Sequence, residues 1–210
     1  MRSLKIIVTF FGFACLSVSG CMSFSPMSDP SRFFMLTPLP QSEESRARDA
    51  NSANGLLVGV GPIRFPAYLD RDQIVTRAGQ NRFDVSENDR WAEPLEENFT
   101  RVLSQNLGIL LEGVRIIRYP WQSGQRPRCR IEMEVLQFEP IAGQRVELLA
   151  RWAVIDSRNK VPLVLKESRL ARQTNGKSTE RSVAALSETL GDLSREIADT
   201  ILVGFRPKEG

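Results

Sequence analysis

The chain has 210 residues, with 28 Lys and Arg against 25 Asp and Glu, and it contains no histidine. The near balance of charge gives no electrostatic case for binding nucleic acid. The missing histidine removes the commonest general base, the commonest metal ligand and every Ser-His or Cys-His nucleophile arrangement.

Arg2 and Lys5 precede an apolar run from Ile6 to Val18, too short to span a bilayer as a stable helix and long enough for the core of an export signal. The run closes in Val18-Ser19-Gly20-Cys21, which resembles the lipobox of bacterial lipoproteins. That resemblance makes Cys21 the lipidation site: its thiol takes diacylglycerol, the chain is cut before it, and the new amino group is acylated. Residues 1–20 are read as the lipoprotein signal peptide, 21–31 as a lipidated tether and 32–210 as a single domain. Removal of the signal takes Cys15 with it, so Cys129 is the one thiol left and no intramolecular disulfide can form. The ten residues Met22 to Ser31 are rich in Ser and Pro and reach at most about 35 Å. Met22, in place of Asp, favours the outer membrane over inner-membrane retention by the sorting rule of such lipoproteins, with the domain facing the periplasm.

Phe33-Phe34-Met35-Leu36-Thr37, closed by Pro38 and Pro40, reads as a first strand, and Gln41 to Gly55 as a solvated loop. Leu56 to Gly61 reads as a second strand stopped by Pro62. Its Gly59-x-Gly61 does not make a phosphate loop, because no third glycine and no helix follow. Gln73–Arg77 and Arg82–Ser86 are joined by Ala78-Gly79-Gln80-Asn81 as a hairpin. Arg90-Trp91-Ala92-Glu93-Pro94 opens a helix whose Leu95, Phe99, Val102, Leu103, Asn106 and Leu110 lie on one stripe, ended by Gly108 or Gly113. Val114 to Tyr119 is a strand stopped by Pro120.

Cys129, Ile131, Met133 and Val135 alternate with charged residues, as do Val146, Leu148, Ala150, Trp152 and Val154, so both segments are strands with one buried and one wet face. Cys129 belongs to the buried row and is expected to be inert. Ser157-Arg158-Asn159-Lys160 is a tight turn into Leu163 to Arg172, an edge strand or one with an exposed face. A final helix from about Thr179 to Val203 carries Val183, Leu186, Leu190, Leu193, Ile197 and Ile201 at helical spacing. Its polar side mixes both signs of charge, which suits a core-facing helix better than a membrane-binding one. The expected class is α+β: a mostly antiparallel sheet with two helices packed on one face.

Asp70-Arg71-Asp72 reads as solvated turn residues, and the acids around Ser86 and Asn88 lack the glycine and distal glutamate of a calcium loop. Neither a catalytic site nor a metal or cofactor site emerges. The segment Pro-Ile-Arg-Phe-Pro-Ala-Tyr-Leu-Asp-Arg-Asp-Gln-Ile-Val-Thr-Arg from Pro62, then Arg82-Phe83, then Arg90-Trp91-Ala92-Glu93-Pro94-Leu95, closely resembles the PqiC-like family of lipoproteins, also called ABC-type transport auxiliary lipoproteins. The lipobox, the Phe-Phe-Met-Leu-Thr-Pro strand and the terminal helix match in order.

The resemblance implies a non-enzymatic accessory subunit of an envelope lipid transport system that supports membrane integrity. It also implies an outer-membrane anchor through the N-terminal lipid, and partners that include an MCE-domain protein and inner-membrane transporter components, with a homo-oligomer as a further option. The alternative is a periplasmic lipoprotein that carries a lipid in its own pocket. Tyr68, Asp70, Arg71 and Trp91 are the candidate interface, since aromatic residues and arginine are enriched in contact hot spots. The competing role for Trp91 is to pack the start of the helix.

Overall fold

The structure, a computed structural model, describes residues 30–41, 56–142, 145–174, 176 and 178–204. In chain order the elements are β1 (Arg32–Phe34), β2 (Leu57–Arg64), a 3₁₀ turn (Ala67–Leu69), β3 (Gln73–Arg77), β4 (Phe83–Trp91), α1 (Leu95–Leu110), β5 (Arg115–Arg118), β6 (Cys129–Ile141), β7 (Arg145–Asp156), β8 (Val161–Gln173) and α2 (Thr179–Gly204). Cys21 and most of the loop after Gln41 lie outside the described residues.

The fold is α+β around one mixed sheet. Strands β6, β7 and β8 form the long antiparallel meander that their alternation requires, with Met133 opposite Trp152 and Trp152 opposite Lys166. On the other edge of β6 two strands share its length. β2 runs parallel to its first half, from the Val58–Cys129 pair to Arg64–Glu134, and β3 meets its end at Arg77–Ile141. Beyond them β5 extends β2 in parallel, β4 pairs β3 antiparallel, and β1 pairs β4 in parallel. The antiparallel ladders carry most of the pairing. The parallel pairs were invisible in the sequence because they join segments far apart in the chain, whereas alternation marks only which face a strand buries.

The core is drawn from Leu36 to Ile201 and fills the space between the sheet and the two helices. The row Cys129, Ile131, Met133, Val135 and the row Val146, Leu148, Ala150, Trp152, Val154 are buried, as is the α2 row Val183, Leu186, Leu190, Leu193, Ile197, Ile201. Phe99 of α1 meets Phe65 and Phe138 edge-on at 5.2 and 5.1 Å.

Four expectations are corrected. Pro62 does not stop β2. It sits in an irregularity of the β2–β6 pairing between Val60 and Ile63, where its missing N–H costs no ladder bond. Arg90 and Trp91 end β4 instead of opening α1, which starts at Leu95 with Pro94 at its cap and Glu96 and Glu97 in the first turn. The helix runs past Gly108 to Leu110, and Gly113 follows with a φ of +74°. The first strand is only Arg32–Phe34, because the residues after it are held by side chains instead of a neighbouring strand. The Leu36 N–H donates to Asn98 Oδ1 at 2.8 Å, the Leu39 N–H to Asn106 Oδ1 at 2.8 Å, and the Thr37 N–H to Ser187 Oγ at 3.1 Å. Asn106 in turn donates to Ser194 Oγ at 3.1 Å. Polar residues on the inner faces of both helices thus clamp an extended segment, which explains an asparagine in an otherwise apolar stripe.

A candidate contact surface beside the start of α1

The loop between β2 and β3 is short and internally bonded. Pro66 precedes a single 3₁₀ turn in which the Leu69 N–H donates to the Pro66 carbonyl and the Asp70 N–H to the Ala67 carbonyl. Leu69 is buried, and the Trp91 N–H donates to the Asp72 carbonyl at 2.7 Å, which ties the loop to the end of β4. Asp70, Arg71 and Asp72 are exposed on the outside of this turn.

Tyr68 is half-buried, and its hydroxyl donates to Glu139 Oε2 at 2.7 Å. Glu139 is 1 % exposed. Its carboxylate also accepts the Phe138 N–H at 2.8 Å and two bonds from Arg77, Nε at 2.9 Å and Nη2 at 2.7 Å. The Phe83 ring lies against both partners, stacked on Tyr68 at 4.6 Å and under the Arg77 guanidinium at 4.5 Å. Burial, then the hydrogen bond and charge of Glu139, push the Tyr68 phenol well above its ordinary value. A buried carboxylate is tolerated only where it is paired and fully hydrogen-bonded, and this cluster meets that condition. It fixes the loop on the end of β6.

The four residues singled out in the sequence therefore divide. Asp70 and Arg71 are at the surface, Tyr68 is committed to Glu139, and Trp91, 6 % exposed, is part of the core at the β4–α1 junction. Sequence reasoning missed Arg77, Phe83 and Glu139. The alternation of β6 is interrupted by the irregularity between Val135 and Gln137, so periodicity places Glu139 no better than any other acid.

Two hollows flank the start of α1. A cleft of about 530 Å³ is lined by Glu96, Glu97, Thr100, Ile117, Arg118 and Tyr119 among others, and a smaller one of about 180 Å³ by Phe65, Ala67, Leu69, Asp70, Leu95 and Glu96. Burial, and then the charges of Asp70 and Glu97, raise the Glu96 carboxyl above its ordinary value. The surface is acidic along the helix start, with Arg71 beside it, and it suits polar docking. Among the described residues no group of three His, Cys, Asp or Glu side chains is placed to hold a metal ion, and no described helix is long and apolar enough to cross a membrane.

A family model described as ABC-type transport auxiliary lipoprotein component matches residues 36–198, over three quarters of the chain. No curated protein matches in sequence. Among solved structures, an uncharacterised protein superposes with a TM-score of 0.67 at 18 % identity, covering 81 % of this chain and 98 % of that one. Protein XCC0632 from Xanthomonas campestris superposes with a TM-score of 0.64 at 13 % identity, covering 82 % of this chain and 96 % of its own. At such identities the two superpositions establish a shared fold.

Proposed function

We propose a role that starts from one fact: this chain belongs to the family of ABC-type transport auxiliary lipoprotein components. It serves as a non-enzymatic accessory subunit of an envelope system that moves lipids between membranes and supports membrane integrity. In this role Cys21 carries the lipid, the outer membrane holds the anchor, and the domain docks an MCE-domain protein that connects to inner-membrane transporter components. The observation that carries the reading is the family match from Leu36 to Ala198, which takes in the clamped segment, every strand from β2 to β8 and most of α2.

Chemistry agrees with docking. The sequence has no histidine, and the Tyr68–Glu139–Arg77 cluster is closed on itself around the buried carboxylate. The alternative, a lipid carried inside the domain, has less support, because Trp152, Phe99, Phe138, Leu103 and Leu107 fill the space between sheet and helices.

Membership of one system is tested genetically. Loss of this chain and loss of the MCE-domain partner are expected to raise sensitivity to detergent equally, and loss of both no further. An additive effect of the double deletion would place the two proteins in separate systems.

A further inference from the structure

One end of the domain carries an aliphatic surface that the docking role does not use. Val161 and Leu163 at the start of β8 and Leu202 and Val203 at the end of α2 are 42 to 70 % exposed. The two elements meet there because α2 runs antiparallel to β8. Arg172 pairs with Glu188 and Asp192, Lys166 with Glu196, and a Cβ built on Gly204 comes within 3.9 Å of Leu163. Exposed aliphatic residues in one place, unlike scattered single ones, mark an interaction surface.

The chemistry at the rim selects the occupant. Arg158 and Lys160 are exposed in the turn that leads into Val161, and no acid occurs from Ser157 to Lys166. The neighbouring cations Lys166 and Arg128 are already matched by Glu196 and Asp156, and the last acid of α2, Asp199, lies one turn before Val203. β8 is an edge strand that pairs only β7 among the described residues. Its first turn of ladder is nevertheless spoiled for strand addition, since Pro162 has no N–H and the β7–β8 register shifts between Val154 and Ile155. A surface that offers apolar side chains and cations but a poor backbone ladder fits a bilayer interface better than an added strand.

We propose that the β7–β8 turn and the C-terminal end of α2 form a second, non-covalent membrane contact that seats on anionic phospholipid. This goes beyond the docking role and rests on the chain's being a lipoprotein, not on the identity of any transporter. The opposite end of α2 is fixed beside β1, where Thr179 donates to Asp89 and Arg32 pairs with Glu180 at 3.6 Å. With 26 residues, α2 separates β1 from the patch by about 39 Å.

The test uses the chain from Met22 to Gly210 without acyl groups, which contains the whole core, and measures sedimentation with vesicles. Equal parts phosphatidylglycerol and phosphatidylcholine are compared with phosphatidylcholine alone. The chain is expected to bind the anionic vesicles and only weakly the neutral ones. Arg158→Gln with Lys160→Gln is expected to weaken binding about thirtyfold, about fivefold for each cation, and Leu163→Asp with Val203→Asp to abolish it. If the Asp pair does not fold, the Gln pair, confined to an exposed turn, decides. Failure of the unaltered chain to bind anionic vesicles overturns the proposal, and so does unchanged binding by natively folded variants. Loss of a protein partner from these variants, without vesicle binding by the unaltered chain, would assign the patch to a protein and overturn it equally.

Discussion

At the scale of single residues, burial decides the chemistry. Cys129 is wholly buried, and desolvation pushes its thiol up to about 12 from an ordinary 9.0, against the opposing pull of Arg128. A group raised on folding stabilises the fold fully below its unfolded value and loses that contribution as pH climbs toward the folded one. The denaturant midpoint is therefore expected to hold steady up to about pH 9 and to fall between about pH 9 and 12, more gently in Cys129→Ala. The native thiol is also expected to resist alkylation at about pH 8 and to react once the chain is denatured. Rapid native labelling, or a midpoint that rises above pH 9, would place the thiol elsewhere. Cys129 was legible in the sequence because the strand around it alternates cleanly. Tyr68 was not: nothing in a loop sequence announces that its hydroxyl meets a carboxylate 71 positions further on.

Among elements, the helices and the β6–β8 meander follow from periodicity and turn chemistry, and their boundaries are close to what the pattern dictates. The departures share one physical cause, which is pairing with distant segments. β2 passes Pro62 because β6 beside it accommodates an irregularity, and β4 extends to Trp91 because β1 and β3 flank it. The pair Gly59 and Gly61 likewise has a packing reason. A Cβ at Gly59 would come within 2.6 Å of the Trp121 ring, and Gly61 has a φ of +113°. The clamped segment gives a direct test of this scale. Asn106→Leu keeps the buried volume apolar but leaves the partly buried Leu39 N–H without its acceptor, and is expected to cost at least about 1 kcal/mol in a denaturation experiment. Glu97→Gln on the exposed face of the same helix is expected to move stability by no more than about 0.5 kcal/mol. Equal effects of the two substitutions would mean that Leu39 is not held by α1.

For the whole molecule, the proposed docking role centres on the acidic and arginine-bearing loop that the sheet holds beside the start of α1. The loop is fastened from beneath by Tyr68, Glu139 and Arg77 while Asp70 and Arg71 stay at the surface. On that proposal stability and recognition are separate. Tyr68→Phe removes a bond to a buried carboxylate and belongs to stability, whereas Asp70→Ala with Arg71→Ala removes only exposed charge. Family membership was legible in the order of motifs from Pro62 to Leu95. The division of labour within that stretch was not, because exposure is a property of the folded chain. The most direct measurement is capture of the natively lipidated protein from solubilised envelopes, with its partners identified by mass spectrometry. An MCE-domain protein is expected to be recovered with the unaltered chain and lost with the Asp70→Ala, Arg71→Ala variant, whose thermal midpoint stays unchanged. Recovery of no MCE-domain protein with the unaltered chain would contradict the docking role.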